Sequence, residues 1–208
     1  MPTRRPIGMW VSLAAGVSLV AVVGAHALSR RSGGAVPLAA PALTAPAPAD
    51  RIQLPENQAQ QLRLADGSAR TVRSLLQVPA RMQFGEFLWN ERDVPAGPIW
   101  IRVDLARQLV SVFRGADEIG TSVILYGQDA TPTPTGNFPI RALERNHRSN
   151  NYDAEMPYTM WLTSDGVAIH GSDVRQGLAT HGCIGVPLAF ARHVFAVVKP
   201  GDLVAVVR

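Results

Sequence analysis

From Ile99 the chain alternates with a period of two: Ile99, Ile101, Val103 and Leu105 fall on one parity, and Trp100, Arg102 and Asp104 on the other. A helix cannot gather such residues on one face, so the segment must be a strand with an apolar side. Similar stretches follow at residues 109–113 and 119–126, separated by Gly115-Ala116-Asp117. The turn-rich run from Thr131 to Gly136 leads into a fourth strand at 138–143. Residues 144–157 are polar and predict a mobile flap. Residues 158–162 and 167–170 flank Ser164-Asp165-Gly166, a hairpin signal. Pro187 suits the first position of a helix, on which Leu188, Ala191, Val194, Phe195 and Val198 form one apolar face. Lys199-Pro200-Gly201 ends it, and residues 203–207 make a last strand. Residues 99–208 therefore predict one mostly β domain with a single main C-terminal helix.

The preceding segments are of other kinds. Residues 51–98 predict a short helical and irregular extension, with helices over 57–65 and 68–76 separated by Asp66-Gly67. Residues 32–50 are rich in Ala and Pro and predict an extended linker. From Ile7 to Leu28 there is no Asp, Glu, Lys or Arg. As a helix this stretch would be about 33 Å long, enough to cross a bilayer. Two readings of residues 1–31 fit: an uncleaved signal anchor, or a signal peptide cut after Ala25-His26-Ala27. The length of the stretch favours the anchor. Arg30 and Arg31 balance Arg4 and Arg5, so flanking charge does not decide orientation. Arg4-Arg5 is only a weak match to a twin-arginine signal. Either reading places the remaining chain in the cell envelope, on the periplasmic side, anchored to the inner membrane or released.

The formal charge of +4 does not indicate a nucleic-acid binder, because Arg4, Arg5, Arg30 and Arg31 against Asp50 place +3 of it in the first 50 residues. Cys183 is the single cysteine. It excludes an intrachain disulfide and any multi-cysteine zinc module.

The chemistry lies in AIHGSDVRQGLATHGCIGVP, residues 168–187. A thiol is mostly protonated near neutral pH and needs a base, for which an imidazole is the natural partner. His170 ends the preceding predicted strand, and His181-Gly182 directly precedes Cys183. Glycine beside a nucleophile lets a substrate carbonyl approach the backbone and leaves N–H groups free for a developing oxyanion. A thiol just before a helix start would gain further support from the helix dipole. A zinc site of His170, His181 and Cys183 is the rival chemistry, but no second cysteine or H-x-E supports it. No metal or organic cofactor is expected.

The stretch resembles the L,D-transpeptidase catalytic domain, whose signature is an upstream histidine followed by Ser/Thr-His-Gly-Cys. Here these map to His170 and to Thr180-His181-Gly182-Cys183. Asp104-Leu105 after the opening strand, the Thr131–Gly136 loop, and Met156-Pro157-Tyr158 also match, so the resemblance spans residues 99–208. It implies a β-sandwich-like catalytic fold acting on peptidoglycan stem peptides. Cys183 would be the nucleophile and His170 its base, with the Gly171 carbonyl setting the imidazole tautomer. Gly182 and Cys183 would supply oxyanion N–H groups, with Thr180 and His181 in support, although His181 taken by itself could compete with His170 as the base. Tyr152 or Tyr158 would serve the site from the flap. A side-chain amine as acceptor gives a cross-link, water gives an L,D-carboxypeptidase, and a lipoprotein amine gives an anchoring enzyme. A wall-binding module without catalysis is a further alternative. Two departures stand out: Gly185 occupies a position where many members carry arginine, and the interval from His170 to Cys183 is short.

Among other residues, Arg175 is placed to meet a stem-peptide carboxylate. His147 and Arg148 read as solvated flap residues, and His193 as a surface residue of the helix. Trp89, Trp100 and Trp161 read as core or groove aromatics. A monomer is expected.

Overall fold

The computed structural model describes residues 50–78, 81–150 and 152–208. The expected anchor at 1–31 and nearly all of the linker at 32–50 lie outside them. Among the described residues no helix is long and apolar enough to cross a membrane.

The chain begins with β1 (Arg51–Gln53), the hairpin β2 (Gln60–Arg63) and β3 (Ala69–Val72), and then β4 (Ser74–Leu76) and β5 (Phe87–Trp89). The alternating region supplies β6 (Ile99–Asp104), β7 (Leu109–Arg114) and β8 (Asp117–Val123), followed by β9 (Gly136–Pro139). A second sheet starts with β10 (Ala142–Arg148) and continues through β11 (Glu155–Trp161), β12 (Ala168–Ser172) and β13 (Ile184–Pro187). Helix α1 (Leu188–Val197) and strand β14 (Leu203–Val207) complete it.

The first sheet runs β1-β4-β8-β7-β6-β14-β9, with β5 also on β8; the second runs β10-β11-β12-β13. Ile101 and Val103 of β6, Val112 of β7 and Val204 and Val206 of β14 share a core with Met160 and Ile169 of the second sheet. Phe190, Ala191 and Val194 of α1 join it. The helix packs on Phe190 rather than on Leu188, which is exposed. His193 is half-buried and stacks on Trp89 at 5.1 Å, so it is not a free surface residue.

The extension departs most from expectation. Of the two helices predicted between residues 57 and 76, only a 3-10 turn at Glu56–Gln58 is present; the rest is mainly strand, and Asp66-Gly67 is the turn of the β2–β3 hairpin, with Gly67 at φ +82°. The cause lies on the reverse face of β6 and β7. There Trp100 and Phe113 stack at 4.1 Å, and Leu62, Leu64 and Val72 cover them. Leaving two large aromatics in water would cost more than the weak helical preference of the covering segment can offset. The extension is also clasped to the first sheet: Arg51 donates to Ser74, to the Glu118 carbonyl and to the Asn90 carbonyl, while Leu76 N–H donates to the Glu118 carboxylate at 2.8 Å. Leu64 is 7% exposed under this hairpin. Leu64→Ala is expected to cost about 2 kcal/mol by the usual cavity penalty, read as a lower urea midpoint at unchanged slope.

The predicted flap is likewise largely ordered sheet. β10 and β11 pair from Ala142↔Trp161 to Arg148↔Glu155. The strand expected at 138–143 is divided at Ile140-Arg141, where the chain leaves the first sheet for the second.

Candidate active site

β12 and β13 are parallel neighbours, with His170 opposite Gly185. Cys183 immediately precedes β13, so the ladder anchors the backbone on its C-terminal side. The segment Leu125–Gln128 anchors the other. Leu125 and Gly185 exchange backbone hydrogen bonds of 2.8 and 2.9 Å, Thr180 N–H donates to Tyr126, and Gln128 N–H donates to Thr180. The Thr180 hydroxyl donates to the Cys183 carbonyl, closing the turn. Thr133 reaches the same carbonyl at 3.5 Å while accepting from Gly127 N–H at 2.8 Å. Gly182 takes φ +112°, a conformation that L side chains rarely adopt.

This turn forms one wall of a cleft of about 700 Å³ that includes His147, Tyr152, Trp161, His170, His181 and Cys183. His170 is 7% exposed, and its Nδ1 lies 2.9 Å from the Gly171 carbonyl. A carbonyl only accepts, so Nδ1 carries the proton and Nε2 keeps the lone pair. Burial pushes the imidazole below its ordinary range; the Gly171 carbonyl opposes this, and charge at His147 reinforces it. Burial pushes the Cys183 thiol up, with a smaller opposing effect from the Ala168 backbone. The sulfur is 3.5 Å from the Gly166 carbonyl, a weak contact. Near neutrality the cleft thus presents a neutral thiol and a neutral imidazole, a combination suited to proton removal during attack.

A family model, the L,D-transpeptidase catalytic domain (YkuD), matches residues 98–206. The chain belongs to the L,D-transpeptidase family. Among solved structures it is similar to a cysteine-to-serine mutant of the Enterococcus faecium L,D-transpeptidase, at 26% identity and TM-score 0.50, covering 54% of this chain and 50% of that one. It is similar to the Stackebrandtia nassauensis L,D-transpeptidase at 20% identity and TM-score 0.50, covering 57% and 60%. An L,D-transpeptidase of Mycobacterium tuberculosis H37Rv aligns at 21% identity and TM-score 0.49, covering 53% and 57%. The match therefore spans about half to three-fifths of the length of these structures. No curated relative matches the sequence. The family's mostly β fold with a C-terminal helix is the one described above.

Within this L,D-transpeptidase domain the sequence-predicted residues divide. Thr180, His181, Gly182, Cys183 and His170 all line the cleft. Gly171 lies behind His170, where an added Cβ would come within 3.1 Å of the Pro157 carbonyl. Of the two tyrosines, Tyr152 is in the cleft and stacks on His181 at 4.1 Å. Tyr158 instead packs against Phe195 at 5.6 Å, under Arg145. Arg175 is outside the cleft lining and pairs with Asp173 on an exposed loop. Arg148 pairs with Asp153 and Glu155. The helix-dipole expectation for Cys183 fails, because β13 intervenes and separates sulfur and helix by about 13 Å of extended chain. Gly185 is buried, and a Cβ there would meet Ser172 Cβ at 3.0 Å, so any larger residue at this position would require Ser172 to shift.

His147 was expected to be solvated and is instead a cleft residue. Its Nδ1 meets Glu144 at 3.1 Å although strict alternation would put the two on opposite faces. Tyr158, in the paired strand, has φ +56°, and the regular pleat is lost there. Trp161, Asp165 and Ser172 also line the cleft. Their roles depend on pairing between β10, β11 and β12, which local sequence does not encode.

Proposed function

We propose that this chain is a peptidoglycan L,D-transpeptidase in which Cys183 forms a thioester with a stem peptide. The supporting observation is that the Cys183 thiol and the His170 imidazole open into one cleft, with Nδ1 of His170 tied back to Gly171 so that Nε2 is the free base. Sulfur attacks the carbonyl that joins the third stem residue to the terminal D-residue, while Nε2 takes the thiol proton. The tetrahedral oxyanion is held by N–H groups around Gly182 and Cys183. Collapse breaks the C–N bond, and His170 returns its proton to the departing amine. An amine then displaces sulfur to give the cross-link. Residues 1–31 would tether or export the domain to the periplasmic side, and the linker at 32–50 would give it reach.

Incubation with disaccharide-tetrapeptide followed by mass spectrometry of enzyme and products tests this. The expected result is an acyl adduct on Cys183, a released D-residue and a cross-linked dimer. Trimmed stems alone would make the chain an L,D-carboxypeptidase. No adduct on folded protein would overturn the reading.

The ionisation states add a prediction. With the thiol pushed up and the imidazole pushed down, a resting thiolate–imidazolium pair is disfavoured. Iodoacetamide alkylation of Cys183 is therefore expected to climb with pH past the ordinary thiol value of about 8.5, with no plateau at about pH 6–8. A plateau there would reveal a resting ion pair. Acylation needs neutral His170, so its acid limb should fall below the ordinary imidazole value of about 6.5.

A further inference from the structure

Besides His170, the cleft holds two imidazoles that the acylation chemistry does not use: His181, stacked on Tyr152, and His147, which alone of the two has a carboxylate partner among the described contacts. His147 lies on β10, with Nδ1 3.1 Å from one oxygen of Glu144. The other Glu144 oxygen accepts from the Trp161 indole at 3.3 Å. Trp161 also packs edge-on against the His147 ring at 4.9 Å. The carboxylate is thus fixed by two donors, and the ring by a hydrogen bond and an aromatic contact. With Nδ1 facing a carboxylate, the neutral ring has its lone pair on Nε2.

We propose that His147, oriented by Glu144, is the proton acceptor for an incoming ammonium in the transfer half-reaction. The proposal rests on the functional reading above and deepens it by assigning a separate base to the acceptor.

Proton accounting motivates a second base. A side-chain amine is an ammonium near neutral pH, with an ordinary pKa of about 10.4. It must lose one proton before nitrogen can attack the thioester, and a second as the tetrahedral adduct becomes an amide. By then His170 has returned the thiol proton to the departed D-residue and is neutral again. His147 takes the first ammonium proton, and Glu144 stabilises the resulting imidazolium. His170 takes the second and delivers it to the Cys183 sulfur as the C–S bond breaks. Positive charge at His147 also weakens the hold of His170 on its proton, which favours that delivery. Water as acceptor loses only one proton before the thiol is regenerated, so His170 alone suffices for hydrolysis.

The charge around the cleft fits a cationic acceptor. Among the described residues that line it there is no Lys or Arg, and Asp165 contributes a carboxylate. Of the two β10 arginines that flank this pair, Arg145 is held over Tyr158 and Phe195, and Arg148 is paired with Asp153 and Glu155.

The test uses the full chain with disaccharide-tetrapeptide as donor and a disaccharide-tripeptide bearing a free side-chain amine as acceptor. The readout is the ratio of cross-linked to hydrolysed product. That ratio is set after the acyl-enzyme forms and does not depend on how fast it forms. His147→Gln is expected to lower it about tenfold or more at neutral pH, and Glu144→Gln to lower it by less. Raising the pH toward the amine pKa should restore cross-linking in His147→Gln, because free amine then needs no base. An unchanged ratio in both variants, or no recovery at high pH, overturns the proposal. A parent chain that forms no Cys183 adduct overturns the functional reading instead, and this proposal with it.

Discussion

Cys183→Ser is expected to fold normally and to form acyl-enzyme on the order of 10³-fold more slowly, or not at all. The serine oxygen would occupy the sulfur position, but its proton is far harder to remove. His170 is poorly equipped for that task, because burial holds it below the ordinary imidazole range. The fold should tolerate the change, since the sulfur's polar contacts are weak ones to backbone, the Gly166 carbonyl at 3.5 Å and Ala168, which a hydroxyl can also make. His170→Ala should fail for the complementary reason: it leaves a thiol that burial already holds above its ordinary pKa without a base. The two residues act as one unit, so the double variant should be little worse than either single one. Intact-protein mass spectrometry against disaccharide-tetrapeptide reads the adduct, and thermal melts check the fold. Wild-type turnover by either variant would remove the substituted residue from the mechanism.

What could be read locally in the sequence was recovered, and what depended on distant pairing was not. β6, β7 and β14 follow from period-two alternation and from turns at Gly115 and Gly201, so residues 99–114 and 203–207 match expectation closely. The β2–β3 hairpin was hidden because Gln60, Gln61, Leu62 and Arg63 are all adequate helix formers. What makes them a strand is Trp100, almost forty residues later: it reads as a core or groove aromatic, but nothing near it in sequence says which segment covers it. The same holds at the site. That His170 and Cys183 lie in one cleft follows from the short motif that carries them. The place of His147 beside the cleft does not follow from local sequence, because its contact with Glu144 arises where the β10–β11 pair loses its regular pleat. Tyr152 and Tyr158 are equivalent in sequence, and only the strand pairing sends one to the cleft and the other under Arg145.

The support of the Gly182-Cys183 turn can be tested away from the cleft side chains. Gly127→Ala would place a Cβ 2.1 Å from the Thr131 carbonyl oxygen, 2.7 Å from Thr133 N and 2.9 Å from Gly182 Cα. All three are backbone atoms, so no side chain can swing aside. Either residues 131–133 move outward or the Gly182-Cys183 turn does. Both routes break the link in which Thr133 accepts from Gly127 N–H and reaches the Cys183 carbonyl. The expected cost is about 3 kcal/mol or more, in the range of severe core overpacking. Acylation should also fall in the fraction that still folds, because the turn that positions sulfur is displaced. Gly67→Ala is the control: it has φ +82° but nothing within 4 Å of the added carbon. Backbone strain alone should then cost about 1–2 kcal/mol and leave the cleft unchanged. Urea denaturation paired with iodoacetamide labelling of Cys183 separates the two effects. If Gly127→Ala matches Gly67→Ala in both measurements, close contact between the Leu125–Gln128 segment and the Gly182-Cys183 turn is not what holds the sulfur in place.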